Sequence, residues 1–125
     1  MGLLPKDPAT RVRVRAAAHS IAIDLHPVCN LSVMRHATGG QEPARTEWMH
    51  HFIRPALEAF EMLLSQFENA DFCTGPTPSL ADICLIPQLY NARRWGVPYS
   101  DLNRIMQAET SCAAIPAFAD AAPLG

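Results

Sequence analysis

Residues 75–95 read GPTPSLADICLIPQLYNARRW and carry the clearest structural signal in the chain. Ser79 has the sequence position of a helix N-cap, because its hydroxyl can accept a hydrogen bond from the backbone N–H of Asp82. The Asp82 carboxylate can in turn accept from the N–H of Ser79, which completes a capping box. Pro78 and Ile83 occupy the two positions of a hydrophobic staple around the same turn. The sequence therefore predicts a helix that begins after Ser79, with Ser79 and Asp82 in structural roles.

Apolar side chains follow on nearly every face of this helix. They are Leu80, Ala81, Ile83, Cys84, Leu85, Ile86, Leu89 and Tyr90. A helix that is apolar all round is typical of one packed on all sides, and this one is too short to cross a bilayer, which takes about 20 apolar residues. We therefore predict a central buried helix over residues 79–92, bent at Pro87 because proline removes a backbone N–H and crowds the preceding turn.

Length and composition indicate one ordinary domain over residues 1–125. The chain is 49% hydrophobic and 18% charged, which excludes a disordered protein. Its net charge of −2 gives no general attraction to nucleic acid or to anionic membranes. The N-terminus has no apolar signal segment, so a cytoplasmic location is expected. The four cysteines, at positions 29, 73, 84 and 112, form no Cys-x-x-Cys pair, which predicts reduced thiols rather than disulfides or a zinc site.

Helical spacing recurs in the N-terminal part of the chain. Asp7 and Pro8 have the positions of an N-cap and a first helical residue. Pro27 is expected to kink this helix and to bias His26 away from helical dihedrals. The apolar face consists of Val14, Ala18, Ile21 and Leu25, resumed after the kink by Val28, Leu31 and Met34.

A long second helix follows a loop. Two adjacent glycines predict the loop over residues 36–42, and Pro43 is placed to open the helix. The helix is predicted over residues 44–68, with a kink at Pro55. Its apolar stripe comprises Trp48, Phe52, Ala56, Phe60, Leu63 and Phe67.

Two shorter helices complete the prediction. Ser100 or Asn103 is expected to cap a helix that carries Ile105, Ala108, Cys112 and Ile115. Pro116 is placed to open a last helix with Phe118 directed inward. The sequence has no strand pattern, repeat or linker. We therefore predict an all-α bundle of about five helices.

The spacing of polar residues gives no assembled catalytic site. The most suggestive group is Arg93 and Arg94, with Tyr90, Asn91 and Trp95, at the end of the central helix. The rigid fork of an arginine can bind the carboxylate of an acidic substrate. Cations at a helix C-terminus also complement the helix dipole, so a structural role stays open.

Other polar residues support weaker interpretations. His26 and Asn30 are four residues apart and, on a continuous helix, would project together from the side opposite the core. Glu47, His50 and His51 have spacings that metal ligands use, but the two histidines are neighbours and diverge by about 100° on a helix. We predict solvated histidines there and no metal site. The arginines of residues 11–15 are interpreted as a solvated face rather than a nucleic-acid site.

Several segments resemble the C-terminal domain of cytosolic glutathione transferases. Residues 75–95 look like its sixth helix, and SLADICLIPQLYNARRW is similar to the zeta class, the maleylacetoacetate and maleylpyruvate isomerases. The likeness continues in LLPKDP (residues 3–8), LHPVCNLSVM (25–34) and IPAF (115–118). The resemblance implies the helical fold of that domain, glutathione as cofactor and a small dicarboxylic substrate. It also implies a homodimer.

The resemblance also implies roles for single residues. Arg94 matches the zeta-class arginine thought to hold a substrate carboxylate, with Tyr90 and Asn91 beside it, whereas Arg93 falls where relatives vary. The residues that would contribute to the glutathione site are His26, Asn30, Leu31 and Ser32. In that family the glutathione thiolate adds to a conjugated double bond, the bond rotates in an enolate, and elimination returns the thiol. No catalytic residue is assigned to this chain itself.

A departure from the family pattern limits the expected activity. Zeta-class enzymes bind and activate glutathione mainly with an N-terminal thioredoxin-like domain that carries a Ser-Ser-Cys motif, and nothing in this sequence resembles it. We therefore expect the helical half of a glutathione-dependent isomerase of aromatic amino acid catabolism, silent alone and with weak or no glutathione binding. The alternative is a non-catalytic binding or assembly module on the same fold. The sequence does not distinguish maleylacetoacetate from maleylpyruvate.

Overall fold

Six α-helices and one π-helical segment make up the regular structure in a computed structural model that describes residues 2–123. They are α1 (Pro8–His19), the π segment (Ser20–Leu25), α2 (Leu31–Thr38), α3 (Ala44–Leu64), α4 (Leu80–Arg94), α5 (Asn103–Ala113) and α6 (Pro116–Asp120). The all-α prediction is confirmed. There is one helix more than expected, because α2 is separate from α1. No helix in the described range is both long and apolar enough to cross a bilayer.

The first helix begins where the sequence predicts. Asp7 is the N-cap of α1, and its side chain accepts the N–H of Thr10 at 2.7 Å. The hydrogen bond from the Thr10 side chain is the main reason that the pKa of Asp7 lies below its ordinary value. The predicted apolar face is confirmed, since Val14, Ala18, Ile21 and Leu25 are all buried.

The predicted break at His26 is wrong. His26 keeps helical dihedrals, φ −54° and ψ −43°, and donates its N–H to the carbonyl of Ile21 at 2.9 Å. That bond continues the π-helical segment, whose wider turn holds an extra residue. It outweighs the preference of a residue before proline for extended dihedrals. The chain turns only after Pro27, and Asn30 is extended, with φ −60° and ψ 133°, as the N-cap of α2.

The loop after α2 is shorter than predicted. The sequence assigned residues 36–42 to a loop, but α2 continues to Thr38. Gly39 then takes the left-handed conformation, with φ 64°, that commonly ends a helix and that glycine adopts without steric cost. The helical turn of residues 36–38 was missed because the paired glycines mark where a loop begins only to within a few residues.

α3 is shorter than predicted and presents a different face to the core. It ends at Leu64 rather than Glu68, and it passes through Pro55 without interruption. Its buried side chains are Met49, Ile53, Leu57, Phe60 and Leu64. The predicted stripe is wrong in part, because Trp48, Phe52, Ala56 and Leu63 are only half-buried. Both sets are apolar and adjacent around the helix, so spacing alone does not decide which set faces the core.

α4 is the central helix, but one of its faces is open. It extends to Arg94, two residues beyond the predicted end, and it continues through Pro87. Its buried side chains are Ala81, Asp82, Leu85, Gln88, Leu89 and Ala92, and it packs mainly against α1 and also against α5 and the π segment. On the other side, Ile83 and Tyr90 are 41% and 37% exposed. The prediction of burial on every side is therefore wrong, because the described bundle encloses only one side of α4.

The carboxylate of Asp82 lies in the core at the start of α4. The predicted capping box with Ser79 is formed. Asp82 Oδ2 accepts the Ser79 N–H at 2.8 Å and the Ser79 hydroxyl at 2.9 Å, and Oδ1 accepts the Cys73 N–H at 2.9 Å. The Cys112 thiol of α5 is 3.9 Å from Oδ1. These contacts join the preceding loop, α4 and α5 at one point. Because the Asp82 side chain is fully buried, water does not reach it.

α3 and α5 cap each other's ends. The N-cap of α5 is Leu102, so the prediction of Ser100 or Asn103 is wrong. The Glu61 carboxylate of α3 instead accepts the N–H groups of Arg104 and Ile105 at 2.8 and 2.9 Å. In return, the Arg104 guanidinium donates to the carbonyl of Leu64, the last residue of α3, and to those of Phe67 (2.7 Å) and Glu68 (2.9 Å) just after it. Charges of opposite sign thereby meet the dipole ends that they stabilise.

Replacing Asp82 by Ala is expected to lower the free energy of unfolding by about 3 kcal/mol or more, because it removes a cap and leaves buried N–H donors without an acceptor. Asp82→Asn keeps the shape and one acceptor oxygen, so a smaller loss is expected. Urea unfolding followed by circular dichroism measures both. Asp24→Ala, at an exposed position, is the control and should change stability by about 0.5 kcal/mol at most. Equal stability of the Asp82→Ala and Asp24→Ala proteins would contradict the role of this carboxylate.

Candidate functional site

An apolar groove lies between the open face of α4 and the C-terminal segment. It has a volume of about 450 Å³. From α4 it is lined by Ile83, Ile86, Pro87, Tyr90 and Arg93, and from α6 and the residues after it by Ala117, Phe118, Ala121, Ala122 and Pro123. Phe118 was predicted to point inward, and it is half-buried at this groove. The surface is concave and mostly apolar, as binding sites commonly are.

The two arginines at the end of α4, Arg93 and Arg94, differ in their contacts. The Arg93 guanidinium donates to the Tyr99 hydroxyl at 2.6 Å and pairs with the Glu109 carboxylate. The Tyr99 hydroxyl also donates to Glu109, at 3.0 Å. Arg94 is exposed and makes no hydrogen bond or ion pair with any residue between 2 and 123. Of the pair, only Arg94 therefore has a guanidinium whose five donors are open to an external carboxylate.

The predicted substrate residues lie close together on α4. At 100° per residue, Ile83, Pro87, Tyr90 and Arg94 share one face of the helix. Tyr90 is one of the groove residues, so Arg94 lies on the same side of α4 as the groove. Asn91 is half-buried and lies about 60° around the helix from Arg94. The assignment of Tyr90, Asn91 and Arg94 to a substrate remains a prediction.

The predicted glutathione residues lie in the turn between the π segment and α2 and in the first turn of α2. His26 is half-buried, and burial lowers its pKa. Asn30 Oδ1 accepts the Ser32 N–H at 2.9 Å and the Ser32 hydroxyl at 2.8 Å, which is a helix cap. Leu31 is half-buried. The continuous helix on which His26 and Asn30 would project together does not form, because Asn30 is extended. Their role toward glutathione remains a prediction.

The first turns of α3 contact both of these segments. The Trp48 indole donates its Nε1–H to the carbonyl of Val28 at 2.8 Å. His50 Nε2 lies 2.7 Å from the carbonyl of Trp95. The Arg45 guanidinium lies over the Trp95 ring, 5.4 Å from its centroid. Sequence reasoning missed these contacts, because each joins residues more than 19 positions apart and no local spacing indicates them.

The histidines of α3 form no metal site. His50 was expected to be solvated, and it is instead half-buried and hydrogen-bonded. Glu47 and His51 are exposed. In the described part of the chain, no group of three or more histidine, cysteine or acidic side chains is arranged to hold a metal ion.

The cysteines are not activated. All four are free thiols, and Cys84 is the only one that is not fully buried. Burial raises the pKa of Cys29 to about 11 and that of Cys112 to about 12. It also raises the pKa of Cys73 and Cys84. Because a nucleophilic cysteine needs a lowered pKa, none of the four has the environment of a catalytic thiolate.

A family comparison covers most of the chain. The family model described as "Glutathione S-transferase, C-terminal domain" matches residues 46–120. Maleylacetoacetate isomerase of Rhizobium meliloti is 46% identical over 125 residues, which is 98% of this chain and 59% of that protein. The chain therefore spans little more than half the length of this relative.

Solved structures agree with the sequence comparison. A crystal structure of maleylacetoacetate isomerase from Anaeromyxobacter dehalogenans, with bound GSH in the active site, is 35% identical at a TM-score of 0.87, over 94% of this chain and 54% of that one. A holo structure of maleyl pyruvate isomerase, a bacterial glutathione S-transferase in zeta class, is 35% identical at a TM-score of 0.90. It covers 97% of this chain and 59% of that one.

Proposed function

Since the chain belongs to the glutathione S-transferase family, as a C-terminal domain of the zeta class, we propose that it is the helical substrate-binding half of a glutathione-dependent cis–trans isomerase. The observation that carries the proposal is Arg94. It is the last residue of the central helix, it is exposed, and it has no partner within residues 2–123. A guanidinium held in this way is suited to a substrate carboxylate.

The substrate is a small dicarboxylate of the maleylacetoacetate or maleylpyruvate type, bound by Arg94 with Tyr90 and Asn91 beside it. Arg94 holds a carboxylate while the reacting double bond faces the glutathione thiol. The turn of residues 26–32 provides the helical domain's contacts to glutathione. The enzyme is a cytoplasmic homodimer of aromatic amino acid catabolism, and exposed apolar side chains such as Val12 (67% exposed) and Ile23 (59% exposed) favour self-association.

The groove beside Arg94 receives a thioredoxin-like domain. The relatives that this chain matches are longer than it, and this chain covers 59% of one and 57% of another. A partner domain with an apolar helix face fits a groove whose walls are mostly apolar. A domain seated there also adjoins the open face of α4, which brings its glutathione site next to Arg94. This arrangement explains why the central helix of the bundle leaves one apolar side exposed.

The proposal is tested with a chimera in which this chain replaces the matching part of the Rhizobium meliloti enzyme. We expect the chimera to isomerise maleylacetoacetate or maleylpyruvate with glutathione, and we expect this chain alone to be inactive because the groups that lower the thiol pKa are elsewhere. Absorbance of the substrate measures turnover. The alternative of a non-catalytic assembly module requires a folded chimera without turnover. Activity of the chain alone would also contradict the proposal.

Replacing Arg94 by Ala in the chimera is expected to lower kcat/KM for the dicarboxylate roughly 10- to 150-fold, the effect of one charged hydrogen-bonding partner. The reaction of glutathione with a neutral electrophile should change little. Arg15→Ala, at an exposed position of α1 outside the groove, is the control. An equal loss of activity toward both classes of substrate in the Arg94→Ala protein would indicate a structural role instead.

Replacing Ile83 by Asp is expected to abolish association with the thioredoxin-like part of the Rhizobium meliloti enzyme, expressed as a separate polypeptide. The change puts a charge in the groove at a position that is 41% exposed, so the helical domain should keep its circular dichroism spectrum. Met62→Asp, at a 74% exposed position of α3 outside the groove, is the control. Co-purification of the two polypeptides measures association. Undiminished binding by the Ile83→Asp protein would exclude the groove as the docking surface.

A further inference from the structure

α3 connects the two segments that the proposed function assigns to ligands. Trp48 and His50 are two residues apart, so their side chains diverge by about 200° around the helix axis. They therefore reach in opposite directions. Trp48 contacts the turn that carries the glutathione residues, and His50 contacts the end of α4 that carries Arg94.

Trp48 contacts the middle of the turn of residues 26–30. Val28, whose carbonyl accepts the indole N–H at 2.8 Å, lies midway between His26 and Asn30. The turn of residues 26–30 lies between two helical segments, and its own backbone hydrogen bonds, from the N–H groups of His26, Cys29 and Asn30, all reach acceptors within residues 21–27. The indole therefore supplies a long-range hydrogen bond that holds this turn in a fixed position relative to α3.

The contact of His50 falls directly after Arg94. Trp95 is the C-cap of α4, so its carbonyl has no helical N–H to accept. A carbonyl only accepts hydrogen bonds, so the 2.7 Å contact requires the proton on His50 Nε2. The Arg45 guanidinium lies over the ring of the same tryptophan. Both contacts restrain the last turn of α4 and with it the direction in which Arg94 leaves the helix.

We propose that Trp48 and His50 are positioning residues. They hold the turn of residues 26–30 and the Arg94 end of α4 in fixed positions relative to each other, on opposite sides of α3. This inference rests on the proposed function, since it assigns the two segments to glutathione and to the dicarboxylate. Neither residue touches the ligands. Each acts on one of them only, through a backbone carbonyl next to the residues that bind it.

The test is a comparison of KM values in the chimera. His50→Phe should raise KM for the dicarboxylate about three- to tenfold, the effect of one lost hydrogen bond, with little change in KM for glutathione. Trp48→Phe should raise KM for glutathione by a similar factor, with little change in KM for the dicarboxylate. His50→Gln keeps a side-chain N–H donor and should restore most of the loss. A merely structural role would move both KM values together in each variant, and that outcome, or no change in either, overturns the inference.

A binding measurement tests the same inference when the variants are too weakly active for kinetics. The chain has two tryptophans, so Trp48→Phe leaves Trp95 as the only tryptophan of the chain. In the Trp48→Phe chain, maleate should change the Trp95 emission, and adding His50→Phe should weaken maleate binding by a similar factor. Unchanged binding overturns the inference. If Arg94→Ala lowers dicarboxylate activity selectively and His50→Phe does not, the inference fails while the proposed function stands; if Arg94→Ala has no selective effect, the proposed function fails first.

Discussion

The fold depends on one polar side chain that water does not reach, that of Asp82. The Asp82 carboxylate accepts hydrogen bonds from Ser79 at the start of α4 and from the backbone of Cys73 in the preceding loop, and it adjoins the Cys112 thiol of α5. A buried carboxylate is costly unless its oxygens are fully hydrogen-bonded. The three segments must therefore assemble together around it. Once they do, the axis of α4 is fixed, and with it the position of Arg94 fifteen residues after the N-cap.

A fixed α4 gives the molecule two different surfaces. One side of the helix is enclosed by α1, α5 and the π segment, and the other presents Ile83, Pro87 and Tyr90 beside an apolar groove. An isolated domain would gain stability by covering these side chains. Their exposure is consistent with the chain's match to little more than half of its relatives, in which further chain is present. The described bundle therefore leaves this face of α4 available for contact with a partner.

The sequence predicted those features whose causes are local. The capping hydrogen bonds of Asp7, Ser79 and Asp82 join residues three positions apart, so the capped helix starts followed from the residue types. It did not predict the core face of α3 or the cap of α5. Two adjacent apolar stripes compete in α3, and the first N–H groups of α5 are bound by the side chain of Glu61, more than 40 residues earlier. The candidate site divides in the same way. Arg93 and Arg94 were singled out by their position at a helix end, and the choice of Arg94 came from the family resemblance. The hydrogen bonds of Trp48 and His50 depend on tertiary packing that no spacing shows.

The reciprocal contacts of Glu61 and Arg104 affect how the bundle loses its structure. Helix ends usually fray one at a time, because each terminal turn is held mainly by its own neighbours. Here the start of α5 is closed by a side chain of α3, and the end of α3 is closed by a side chain of α5. Opening either terminus exposes the unsatisfied backbone groups of both. The two helix ends are therefore coupled, because loss of order at one removes hydrogen-bond partners from the backbone of the other.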